Sequence, residues 1–183
     1  MAKTAIFLAN GFEEIEGLTV VDILRRAQID ITMVSIMGTK AVEGSHGIKL
    51  EADATIESFD FGDVDMIILP GGMPGTKNLD ACEPLKAKIK EFNDAGKMLA
   101  AICAAPTVFG KMGLLNGKRA CCYPGCEGDL LGATTTTDAV IKDGNFITSR
   151  GMGTAIPFAL AILEHFKGKE AADQMAKGIV FNS

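Results

Sequence analysis

Three short, nearly continuous apolar runs, at residues 4–9, 66–69 and 97–102, and a strand-like segment at residues 30–36 constrain the fold of this chain more than any other feature. Apolar character that does not alternate suits strands covered on both faces. The three runs lead through a polar or glycine-rich loop into a helical pattern. Residues 15–27 carry Ile15, Leu18, Val21, Leu24 and Ala27 close to helical spacing, and residues 85–95 place Ile89 and Phe92 on one face. A helix is expected from Ala104. This strand–helix alternation predicts an α/β three-layer sandwich, with a mostly parallel central sheet and helices on both faces.

The rest of the chain reads less regularly. Residues 40–56, with two glycines, fit a hairpin or an irregular excursion, and residues 117–126 a strand or loop. Residues 134–142 are β-prone, Asp143-Gly144 signals a turn, and residues 145–149 form the return strand. Two helices, near 153–166 and 168–178, are separated by Gly168 as a stop. No repeat, linker or break appears, so residues 1–183 are expected to form one domain.

Charge and composition exclude several classes. The net charge is −5 with no sustained basic run, which argues against nucleic acid or an anionic membrane as partner. No apolar stretch approaches the roughly 20 residues of a membrane span. The amino terminus turns polar too soon for a signal peptide. Five cysteines without a secretion signal point to free thiols in a reducing, cytoplasmic setting.

Ligands of parallel sheets sit beyond the carboxyl ends of the strands, where the loops at 10–14, 70–75 and 103–104 converge. Cys103 stands at a sharp strand-to-helix turn, a setting that favours the nucleophilic thiolate. Gly71 and Gly72 offer amides for an oxyanion, or simply a tight turn; no Walker-type ending follows them. Glu13 and Glu14 read as an exposed helix start. Glu16, just inside the helix, is placed to face Cys103, where burial and a nearby thiolate would keep it protonated. Cys121, Cys122 and Cys126 lack zinc-site spacing and a nearby histidine, which leaves a structural role or a reversible disulfide. His165, beside Phe166 on a C-terminal helix, reads as a surface or packing residue, His46 lies in the glycine-flanked excursion, and no metal site is expected.

Together these motifs resemble the ThiJ/PfpI superfamily and, within it, the protein deglycase branch that includes the Parkinson-disease protein. The resemblance rests on residues 10–16, 21–27, 69–72, 100–106 and 148–154. It implies a flavodoxin-like sandwich that forms a homodimer. It also implies Cys103 as nucleophile and redox-sensitive thiol, Glu16 as its protonated partner, and amides of Gly72 and Ala104 for oxyanions. The implied chemistry is cofactor-free conversion of glyoxals such as methylglyoxal to hydroxy acids, or repair of glycated substrates, in a stress-protective role. A non-catalytic redox-sensing or chaperone role is the alternative. Two departures bear on this. Ala104 stands where the proteolytic branch has histidine, which argues against a peptidase. Tyr123 stands where many deglycase members have histidine. A phenol titrating near ~10 is no substitute for an imidazole base, so Tyr123 is expected to donate a hydrogen bond to substrate.

Overall fold

The computed structural model describes residues 2–181. Seven strands form one sheet in the order β10-β11-β7-β6-β1-β2-β5. They are β1 (Lys3–Leu8), β2 (Asp30–Ser35), β5 (Ala54–Thr55), β6 (Met66–Leu69), β7 (Met98–Ile102), β10 (Val140–Asp143) and β11 (Phe146–Ser149). All neighbours run parallel except β10, which folds back on β11. The hairpin turn is Gly144-Asn145, one residue beyond the expected Asp143-Gly144. Gly144 supplies the positive φ of 57° that a two-residue loop requires.

The central strands β1, β6, β7 and β11 are buried on both faces, while β2, β5 and β10 toward the edges are partly open. Ile6, Leu8, Ile68, Ala100 and Ile102 point to one side, under α1 (Glu14–Arg26), α5 (Ala155–Lys167) and α6 (Lys169–Gly178). Ala5, Phe7, Ile67, Leu69, Leu99 and Ala101 point to the other, under α2 (Gly75–Ala81), α3 (Glu83–Asp94) and α4 (Pro106–Lys111). Side-chain alternation along each strand therefore divides one apolar run between two cores. In α5 the buried positions 155, 158, 159, 162 and 163 follow helical spacing, and the helix ends at Gly168 with φ 84°.

Two pairs lie outside the main sheet. β3 (Ala41–Glu43) and β4 (Lys49–Glu51) form the hairpin expected within 40–56, while β8 (Arg119–Ala120) pairs with β9 (Thr134–Thr135). Three expectations need correction. α2 was not anticipated, because its seven residues bury only Gly75, Thr76 and Leu79 and show no apolar stripe. The helix expected from Ala104 starts at Pro106 and has six residues, with Cys103 and Ala104 in the preceding turn. Most of residues 117–126 is loop, with only Arg119–Ala120 in a strand. Among the described residues no helix is long and apolar enough to cross a membrane.

Candidate active site

The parallel register brings the carboxyl ends of β1, β6, β7 and β11 to one edge, so four loops meet there. The Cys103 amide donates to the Ser149 carbonyl at 3.0 Å, and the Tyr123 amide donates to the Cys103 carbonyl at 2.7 Å. These bonds pin the residue between the strand end and the 121–126 loop. Cys103 takes a φ of 65°, in the left-handed region that side chains avoid. A non-glycine residue in that conformation is held there by its surroundings and turns its side chain out of the strand direction, as at a nucleophile elbow.

Glu16 reaches this edge from the first turn of α1 and is almost fully buried. Its Oε2 accepts the Gly71 amide at 2.9 Å. A Cβ on Gly71 would lie 2.6 Å from both Cys103 Cβ and Glu16 Oε2, so thiol and carboxyl flank a space that only glycine leaves open. The Gly71 amide is thus engaged in holding Glu16. The amides of Gly72 and Ala104 face the Cys103 sulfur and favour its ionised form.

Gly72 itself has φ 91°, and a Cβ there would collide with the Glu13 amide nitrogen. Its carbonyl accepts the Thr76 amide, and the Glu13 amide donates to the Gly71 carbonyl. Gly72→Ala is therefore expected to destabilise the protein by roughly 2–4 kcal/mol, because left-handed strain adds to a backbone overlap. Urea unfolding at fixed pH measures this.

Burial pushes the Glu16 carboxyl up to about 7, against the hydrogen bonds to Cys103 and Gly71 that pull it down. Burial also pushes the Cys103 thiol up to about 12; the Glu16 charge adds to this, and the amides of Ala104 and Gly72 oppose it. The helix-end argument for an easily ionised thiol is thus outweighed by desolvation, and α4 is too short to restore it. Between the two values the pair holds one proton and one negative charge, shared between oxygen and sulfur. Burial of the thiol keeps the charge mainly on Glu16, and the two amides facing sulfur stabilise the thiolate when the proton crosses to the carboxyl.

Tyr123 is half exposed at the rim. A Cβ on Gly151 would lie 3.4 Å from the Tyr123 ring and 4.0 Å from Glu16 Oε1, so ring and carboxyl flank Gly151. Gly151 was given no role from sequence; only its place in the 148–154 motif hinted at one. Glu13 and Glu14 are not the exposed helix start expected. Glu14 is 4% exposed, and Glu13 is largely covered. The His46 amide donates to Glu14 Oε1 at 2.8 Å, and the His46 ring lies 2.9 Å from Oε2. Burial alone would raise the Glu14 carboxyl, but His46 and backbone amides outweigh it and hold it at about 2. Cys121 and Cys122 are buried behind the site, with the Cys121 thiol donating to the Thr148 carbonyl at 3.3 Å.

Fold and site define a flavodoxin-like α/β protein with a cysteine at an elbow beside a buried carboxyl. The DJ-1/PfpI family model matches residues 2–165, and the chain belongs to that family. It is 38% identical over 183 residues to Protein dj-1beta of Drosophila melanogaster, covering 98% of each chain. Protein DJ-1 homolog B of Arabidopsis thaliana is also 38% identical, over 180 residues; the alignment covers 97% of this chain but 41% of that longer protein. The Glutathione-independent glyoxalase DJR-1.2 of Caenorhabditis elegans is 31% identical over 169 residues, covering 90% of this chain and 88% of the relative. The crystal structure of a DJ-1 superfamily protein of Salmonella typhimurium superposes with a TM-score of 0.95 at 32% identity, covering 100% of both chains.

Proposed function

We propose that this chain is a glutathione-independent glyoxalase, converting small dicarbonyls such as methylglyoxal to hydroxy acids without a cofactor, in a stress-protective role. The observation that carries the reading is the buried Glu16 carboxyl, held by the Gly71 amide against the Cys103 thiol. The glyoxalase named among the relatives supports it.

In the proposed sequence the Cys103 sulfur adds to the aldehyde carbon. The new alkoxide takes the proton that the pair retains, giving a hemithioacetal and an ionised Glu16. Glu16 then removes the hydrogen from that carbon and returns a proton to the neighbouring carbon, while the hemithioacetal hydroxyl proton passes to the neighbouring oxygen. The resulting thioester is hydrolysed by one water to the hydroxy acid and the free thiol. The Gly72 and Ala104 amides face the sulfur and are placed to bind the oxyanion next to it. Tyr123, at the rim, donates to a substrate oxygen.

The test is hydroxy-acid formation from methylglyoxal in amine-free buffer without glutathione. Tyr123→Phe is expected to retain turnover within about tenfold, since one neutral hydrogen bond is worth about 1 kcal/mol. Absence of turnover by the wild type sinks the reading and leaves a redox-sensing thiol, for which intact mass after mild peroxide is the assay.

We also propose a homodimer. Ile15 and Leu18, one turn apart on α1, and Ile48 at the tip of the β3–β4 hairpin are large apolar side chains left exposed. Such a grouping marks an interaction surface. Ile15→Glu is expected to shift sedimentation toward the monomer.

A further inference from the structure

Outside the Cys103 site, four side-chain donors converge where the β3–β4 hairpin tip meets the start of α1. Ser45 Oγ lies 3.4 Å from Glu13 Oε2, 3.2 Å from Glu14 Oε2 and 3.0 Å from His46 Nδ1. His46 Nδ1 lies 3.6 Å from Glu13 Oε2 and 2.9 Å from Glu14 Oε2. The two carboxylates and the imidazole fall within 4.8 Å of one another. These five separations, 2.9–3.6 Å, bracket the edge of a tetrahedron whose corners lie about 2 Å from its centre, the bond length of zinc to nitrogen and oxygen ligands.

We propose that Glu13, Glu14 and His46 bind a divalent transition metal of the zinc type, with Ser45 or a water in the fourth position. Two carboxylates and one neutral imidazole form a common donor set for such an ion, and their two negative charges balance it.

Three features favour this over a plain hydrogen-bonded cluster. Glu14 is buried with its carboxylate against Gly44, so one ligand is fixed before the metal arrives. The hairpin tip is held in place by backbone bonds: the Ser45 amide donates to the Phe12 carbonyl, and the Gly11 amide to the Glu43 carbonyl. The His46 ring is exposed, which leaves the metal a path of entry. The metal would clamp the hairpin to the first turn of α1, two residues before Glu16.

The experiment is a zinc titration of the metal-stripped full chain against a chromophoric chelator. It is done on a Cys103→Ala background, so that the thiol beside Glu16 does not compete. One equivalent bound, with affinity reduced at least about tenfold in His46→Ala, is expected. His46 is exposed, so that variant keeps its fold. Cobalt(II) in the same protein should give tetrahedral visible bands without a sulfur-to-metal charge-transfer band. Equal zinc affinity with and without His46, no binding at all, or a thiolate band from Cys121, Cys122 or Cys126 would overturn the proposal. The test does not depend on turnover, so it stands or falls apart from the glyoxalase reading.

Discussion

Alanine in place of Cys103 is expected to reduce hydroxy-acid formation from methylglyoxal to the uncatalysed rate, a loss of about a thousandfold or more. The thiol supplies the bond-forming atom, and no other cysteine reaches this edge. Cys121 and Cys122 lie buried behind it, Cys82 sits between α2 and α3, and Cys126 packs against the core under α3 and α4. Stability should change by less than about 1 kcal/mol, since alanine keeps the Cβ and the backbone bonds to Ser149 and Tyr123. Cys103→Gly sharpens the test. It loses turnover equally, but it releases a φ of 65° that costs a side-chain-bearing residue about 1 kcal/mol. The glycine variant should therefore resist urea better than the alanine variant. Substantial turnover in either variant would remove Cys103 as nucleophile.

Glu16→Gln should move activity and stability in opposite directions. The carboxyl ionises at about 7 in the fold and near 4.5 when unfolded. Between those values the native state binds more protons than the unfolded one, so unfolding free energy falls as pH rises. The loss is about 3 kcal/mol across the window. Glutamine cannot ionise and keeps an oxygen for the Gly71 amide, so the variant should lack this decline and be more stable than wild type at pH 8 relative to pH 4. Turnover should fall by about 10²- to 10⁴-fold with the proton carrier gone. In the wild type the first proton leaves the pair near 7; with only the buried thiol left to ionise, the rise of kcat/KM with pH should shift upward. Urea unfolding from pH 4 to 8, with the matching rate profile, measures both. A decline that persists unchanged in the glutamine variant would mean that another group causes it.

Much of this was legible in the chain because local pattern and global fold agree. The apolar runs at 4–9, 66–69 and 97–102 became the buried central strands, and the loops that follow them converge on Cys103. What was missed has physical reasons. α2 hides in a glycine-rich segment with one large apolar residue, Leu79, in its interior. Glu14 looked solvated because its partners, Ser45 and His46, come from 31 and 32 residues away, and no local periodicity reports a bond of that range. The Gly71 amide was read with Gly72 as an oxyanion donor. Only the three-dimensional path of α1 reveals that Glu16 already occupies it.

Met73, two residues after Gly71, Tyr123, whose ring flanks Gly151, and Met152, next to Gly151, are each about half exposed, while Gly71, Glu16 and Ile102 are buried. This division separates what recognises a molecule from what transforms it. Under the proposed glyoxalase function, variation at these three positions is expected to retune which aldehyde is admitted without touching the reacting groups, whereas a single methyl at Gly71 overlaps Cys103 and Glu16. The layout offers evolution, or a protein engineer, an adjustable doorway in front of a fixed workshop.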